Sequence, residues 1–217
     1  MRTIKAVLFD LDGTLIDSAP DLIAALNWLR DLEGLAPLEV GPMSRYISHG
    51  AQGILEAGMP TADEKQFAKW KSLFLERYAA VGYSQSRLYH GIPEVLENLG
   101  TKQIPWGVVT NKMTALTLPI LKSARLKDGA ACIVCGDTVK QSKPHPAPVL
   151  YACAQLGIQP ADTLFAGDDL RDLQAGLSAG TMTAAVLYGY GLSAIDEEQL
   201  SRDVTIRSPE EFIGLWA

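Results

Sequence analysis

The chain begins with an unbroken apolar run, Ala6 to Phe9, that stops at Asp10. A short run without polar alternation predicts a strand buried on both faces. Beyond Pro20 the spacing changes, and Leu22, Ile23, Leu26, Leu29 and Leu32 recur at helical intervals until Gly34. Asp17 and Ser18 precede this helix as cap candidates, with Pro20 in its first turn. After a loop with Pro37, Gly41 and Pro42, residues 43–57 read as a helix interrupted at Gly50 and Gly53. Residues 62–81 repeat the amphipathic pattern through Phe67, Trp70, Phe74 and Tyr78. From about residue 15 to 85 the pattern is helical, with no convincing strand.

The rhythm then switches. Short apolar runs at 104–110, 131–135, 163–166 and 183–187 alternate with helical spans at 93–99, 114–124, 146–156 and 170–179. Pro119 is expected to kink or split the second of those helices. Val204-Thr-Ile206 adds a last short strand, with a closing helix from Pro209. Strands alternating with helices predict an α/β fold with a doubly wound, mainly parallel, Rossmann-like sheet. The all-helical stretch falls after the first strand and so predicts an inserted α-helical cap. The expected division is a core of residues 1–14 and 86–217 and a cap of residues 15–85.

Composition narrows the classes. A 217-residue chain, 47% hydrophobic and 20% charged, describes a globular protein. Its net charge of −6 argues against nucleic acid or an anionic membrane as partner. No apolar run approaches the ~20 residues of a membrane span. The N-terminus runs straight into the first strand, leaving no room for a signal peptide. Three cysteines cannot all pair within the chain, and the expected location is cytoplasmic. Cys132 and Cys135 form a C-x-x-C inside an apolar run, but no second cysteine or histidine pair completes a zinc site. They read as core, as does Cys153.

Four strand ends carry candidate chemistry. The first is Asp10-Leu-Asp12-Gly-Thr14, whose two acids leave an extended chain on the same side. Two carboxylates at the end of a buried strand cost desolvation unless a cation or a reaction needs them. A helix cap would need only one. The second is Thr110-Asn-Lys112, where a hydroxyl and an amide could hold a phosphoryl oxygen, although Thr-Asn is also a common turn. The third is Ser142-Lys143-Pro144, a lysine pinned in extended geometry by the proline behind it. A solvated loop lysine is the plain alternative. The fourth is Gly167-Asp168-Asp169-Leu-Arg-Asp172, where three acids crowd one strand-to-helix turn. Acids there complement the helix dipole, which accounts for one or two of them. Carboxylate oxygens are also what hard divalent cations prefer.

In order and position these segments resemble the four motifs of the haloacid dehalogenase superfamily, most of whose members are magnesium-dependent phosphatases. The resemblance covers essentially the whole chain. It implies that Asp10 is a nucleophile forming an aspartyl-phosphate, and that Asp12 protonates the leaving oxygen and then activates water. It implies phosphoryl binding by Thr110, Asn111 and Lys143. It implies Mg2+ held by Asp10, the main-chain carbonyl of Asp12 and Asp168, supported by Asp172. Asp169 stands where the family often has serine or threonine, and is a candidate for the metal's outer shell. The helical insert resembles the cap of phosphoglycolate phosphatases, with Arg45, His49, Gly50 and Arg87 as candidate substrate contacts at its mouth. Ser86-Arg-Leu-Tyr89, Trp106 to Lys112 and Gly167 to Asp172 also resemble the branch that dephosphorylates N-acetylmuramic acid 6-phosphate. The implied partner is a small phosphorylated metabolite, 2-phosphoglycolate or N-acetylmuramic acid 6-phosphate, both bearing a carboxylate. The implied assembly is a monomer or homodimer. A sugar phosphomutase and a non-catalytic phosphate-binding or signalling module are the alternatives. A degenerate binding protein would have lost one of Asp10, Asp12, Lys143 or Asp168, and all four are present.

Overall fold

The computed structural model describes residues 3–191, Leu200 and 204–216. Strand β1 (Ala6–Phe9) is wholly buried, as its unbroken apolar run requires. Four later runs also form strands: β4 (Trp106–Val109), β5 (Cys132–Val134), β6 (Thr163–Gly167) and β7 (Met182–Val186). With β8 (Val204–Ile206) they make a six-stranded parallel sheet in the order β5-β4-β1-β6-β7-β8. Side-chain alternation divides the core in two. Val7 and Phe9 of β1, with Leu164 and Ala166 of β6, face one apolar cluster, while Leu8 and Phe165 face the other. Helices cover both faces, as a parallel sheet demands. These are α5 (Ile92–Thr101), α6 (Thr114–Ser123), α7 (Ala147–Leu156) and α8 (Leu170–Ala179). β1 is the switch point, with β4 on one side and β6 on the other. Open α/β sheets bind ligands at the carboxyl ends of such strands.

Between β1 and β4 stands the helical insert: α1 (Ala19–Leu32), α2 (Val40–Ser44), α3 (Gly50–Gly58) and α4 (Glu64–Val81). The interruption expected near Gly50 and Gly53 lies earlier, where a 3-10 turn at Ile47–His49 separates α2 from α3. Pro119 does not split α6, which runs unbroken from Thr114 to Ser123. One missing N–H is a single lost ladder bond in a helix whose Thr117, Ile120 and Leu121 are buried against the core. The closing element is a 3-10 helix, Pro209–Leu215. Cys132, Cys135 and Cys153 are free and buried, and burial pushes the Cys132 thiol up to about 12.

The chain enters and leaves the insert on two very short strands that residue pattern alone did not reveal. β2 (Ile16–Asp17) pairs antiparallel with β3 (Arg87–Leu88). Beside them Asp21, buried in the first turn of α1, gathers the returning chain. Its carboxylate accepts the backbone N–H groups of Ser84, Gln85 and Ser86 at 2.8–3.1 Å and the Ser86 hydroxyl at 2.6 Å. A buried carboxylate with this many donors is compensated, and among the described residues those donors meet no other acceptor. Asp21→Ala is expected to lower the unfolding free energy by about 3 kcal/mol, read from urea denaturation, with Asn costing less because one acceptor oxygen survives.

Candidate active site

The carboxyl ends of β4, β1 and β6 meet at the floor of a cavity of about 350 Å³ roofed by the insert. Lys143 is its electrostatic centre. Its buried ammonium donates to Asp10 Oδ1 at 2.7 Å, to Asp172 Oδ1 at 2.6 Å and to the Val109 carbonyl at 2.8 Å, which uses all three donors. Asn111 sets this lysine in place. The amide donates to the Lys143 carbonyl at 2.9 Å and accepts its N–H at 3.0 Å. Thr110 ends β4 beside these groups, and its hydroxyl accepts the Lys112 N–H at 3.2 Å.

Asp168 is buried behind Asp10. Its carboxylate accepts the Thr14 hydroxyl at 3.1 Å and the Tyr190 N–H at 2.8 Å. Two glycines let the chain come this close. Gly13 has φ +84°, and a Cβ there would stand 2.2 Å from Asp168 Oδ2. A Cβ on Gly189 would meet the Gly13 carbonyl at 2.3 Å and Asp168 Cβ at 2.4 Å. Tyr188 and Tyr190 lock the same segment, one donating to the Thr14 carbonyl and the other to Asp17.

Asp10, Asp168 and Asp172 each bring a carboxylate oxygen to within 4.8 Å of the others. Three carboxylates against one ammonium leave two negative charges in a buried site. Burial works against the Lys143 charge, but Asp10 and Asp172 outweigh it and hold the amine above its ordinary range. The surplus falls on the acids. Burial, then the charges of Asp10 and Asp172, holds Asp168 well above the usual carboxylate range. Burial raises Asp172 as well, against the pull of Lys143. A hard divalent cation fits this oxygen donor set and its charge deficit.

Asp169 belongs to a different arrangement. It caps α8, and Asp172 accepts the Asp169 N–H in a reciprocal capping box. Its carboxylate also grips the Arg171 guanidinium at 2.8 and 3.0 Å, and Nη2 of that arginine donates to the Ser48 carbonyl on the insert. Burial opposes ionisation of Asp169, and the bonds from Arg171 overcome it, so its carboxyl lies below the usual range.

His49 and Gly50 line the cavity wall. Arg45 and Arg87 do not line it. Arg45 is exposed over the Tyr46 ring, and Arg87 donates to the Ser84 and Ser86 carbonyls at the chain's return. Two residues that sequence reasoning left without a role join the acids instead. Lys112 donates to Asp12 Oδ1 at 2.6 Å and to the Tyr78 hydroxyl of α4 at 2.9 Å, tying the second aspartate to the insert. Its place directly after the Thr110-Asn111 pair at the end of β4 was the available signal. For Tyr78 no local signal existed, since its ring lies in the apolar stripe of α4.

A family model described as haloacid dehalogenase-like hydrolase matches residues 7–186. The chain belongs to that family. A Pseudomonas aeruginosa protein named N-acetylmuramic acid 6-phosphate phosphatase is 41% identical over 213 residues, spanning 98% of this chain and 94% of that one. A Xanthomonas campestris pv. campestris protein named phosphoglycolate phosphatase is 35% identical over 216 residues, spanning 100% and 96%. The crystal structure of a predicted phosphoglycolate phosphatase from Haemophilus somnus superposes with a TM-score of 0.89 at 29% identity, covering 99% and 98% of the two chains. The enzyme is a phosphatase of this family. Among the described residues, no helix is long and apolar enough to cross a membrane.

The charge deficit has a measurable consequence. In cation-free protein, folded Asp168 and Asp172 retain protons that unfolded aspartates release from about pH 4 upward. Stability without a cation should therefore fall as pH rises from about 4 through the raised values of the two acids, and magnesium should flatten that decline. Melting temperatures measured in chelator and in magnesium across this range test it, and curves that coincide would contradict a cation site.

Proposed function

We propose that this phosphatase is a magnesium-dependent phosphomonoesterase working through an aspartyl-phosphate on Asp10, with N-acetylmuramic acid 6-phosphate as its substrate. The observation that carries the reaction is the clamp of Asp10 and Asp172 on one buried lysine, with Asp12 held two residues away by a second. Lys143 orients Asp10 and offsets charge on the phosphoryl group, and the Thr110 hydroxyl helps to hold that group. The Asp10 carboxylate attacks phosphorus as the bond to the alcohol oxygen breaks. Asp12 gives its proton to that oxygen, and the alcohol leaves. Asp12 then takes a proton from water, which attacks phosphorus, releases phosphate and restores Asp10. Lys112 keeps the Asp12 side chain aimed into the cavity. Magnesium, held by Asp10, the Asp12 carbonyl and Asp168 with support from Asp172, would supply the positive charge that lets carboxylate and phosphate approach.

The substrate assignment is supported by the 41% identical relative and by a cavity within the size range of metabolite pockets. A second reading, 2-phosphoglycolate, is supported by the 35% identical relatives. In either case the cap, residues 15–85, excludes water and reads the organic group. We place the reaction in the cytoplasm, where three unpaired cysteines are compatible with a reducing environment. Phosphate release should depend on magnesium and favour one ester among N-acetylmuramic acid 6-phosphate, 2-phosphoglycolate, hexose phosphates and nucleotides. Asp10→Asn should abolish it, and Asp12→Asn should slow it by about 10²–10⁴-fold. Isomer formation without phosphate release would point to a mutase, and release unaffected by Asp10→Asn would overturn the mechanism.

A further inference from the structure

Four cationic side chains line the cavity: Lys71, Lys112, Lys143 and Arg171. Three have an acid at contact distance. Lys143 meets Asp10 and Asp172, Lys112 meets Asp12, and Arg171 meets Asp169. Lys71 differs. Among the described residues it pairs with no carboxylate, and its Nζ meets the Gln52 side-chain oxygen at 3.5 Å, a long and weak contact. It is half-buried, whereas Lys65 and Lys69 on the same helix are exposed and do not line the cavity. The Lys71 stem lines the cavity and its ammonium stands at the solvent-facing edge beside exposed Gln52, where an anion could still reach it.

The position of Lys71 sets how far that anion stands from the phosphoryl group. Lys71, Phe74, Leu75 and Tyr78 follow the i, i+3, i+4, i+7 spacing and line the cavity from one face of α4. Tyr78 touches Lys112, which holds Asp12, so it marks the catalytic end. Seven residues at 1.5 Å each place Lys71 about 10 Å farther along the helix. The wall between these poles is apolar, formed by Phe74 and Leu75.

We propose that Lys71 is a specificity-determining residue that binds the carboxylate of the substrate's organic group, a sugar ring's span from the phosphoryl end. The assignment rests on the phosphatase reading above. In N-acetylmuramic acid 6-phosphate the phosphate sits on C6 and the lactyl carboxylate on O3, so that C6, C5, C4, C3, O3 and the lactyl carbon all stand between the leaving oxygen and the carboxylate. In 2-phosphoglycolate a single methylene separates the leaving oxygen from the carboxylate, too short a span to reach the Lys71 pole. The unpaired lysine therefore favours the sugar acid.

The test uses full-length, magnesium-loaded enzyme and a matched pair of esters. N-acetylglucosamine 6-phosphate has the same ring and phosphate as N-acetylmuramic acid 6-phosphate but lacks the lactyl group. Lys71→Met is expected to raise KM for the N-acetylmuramic ester with little loss of kcat. The preference for that ester over its partner should fall about 10- to 100-fold, the worth of a charged hydrogen bond. Lys71→Arg should restore most of the preference, which a merely structural role for Lys71 would not require. If Lys71→Met leaves the preference intact, or slows both hexosamine esters equally, the role of Lys71 is overturned while the phosphatase reading stands. If 2-phosphoglycolate is the preferred ester and its KM rises in Lys71→Met, the span argument is overturned. Wild-type enzyme that releases phosphate from none of the three esters would overturn the proposed substrate and the Lys71 role together.

Discussion

One ammonium organises this molecule. The Lys143 charge lies buried between Asp10 and Asp172, and breaking such a pair from one side costs about 3–5 kcal/mol. The surrounding parts hold that geometry. Asn111, at the end of β4, grips the lysine's own backbone at both its N–H and its carbonyl. The capping box of α8 turns the Asp172 carboxylate inward. Gly13 and Gly189 let the backbone close on Asp168. The charge deficit that remains suits a hard divalent cation.

Polar crossings join the helical insert to this centre. Asp21 stitches the start of α1 to the returning chain at Ser84 to Ser86, beside the β2–β3 pair. Tyr78 reaches Lys112, and through it Asp12. Arg171, gripped by Asp169, reaches the Ser48 carbonyl. Asp12 is thus tied to the insert that roofs the cavity. A movement of the insert would therefore be felt at Asp12.

Much of this was legible along the chain. β1, β4, β6 and α8 fall within a residue or two of their expected limits, because buried parallel strands are continuous apolar runs and α8 repeats at 3.6. Asp10, Asp12 and Asp168 stood out because acids at the ends of such runs cost desolvation. Thr110 and Lys143 read alone as a common turn and a solvated loop lysine, and only the family resemblance singled them out. Other features were hidden. β2 and β3 are two residues each and exist only because they pair with one another. Asp21 looks like any acid in a first helical turn until the loop 63 residues later closes on it. Arg45 and Arg87, plausible by charge, satisfy themselves on Tyr46 and on neighbouring carbonyls.

What the sequence determined by itself was the order of strands and helices along the chain, the place of the helical insert, and the acids that end the first and sixth strands. Lys143 was added by the resemblance of its motif. Periodicity and the cost of burying charge are local rules, and they can be read locally. Only the tertiary structure decided which cation serves which acid. Lys143 took Asp10 and Asp172, Lys112 took Asp12, Arg171 took Asp169, and Lys71, at the cavity's edge, pairs with no carboxylate among the described residues. Arg171 and Asp169 are near neighbours, but Asp12 and Lys112 lie 100 residues apart and Asp10 and Lys143 lie 133 apart. Coulomb attraction depends on distance in space, which the order of residues does not record.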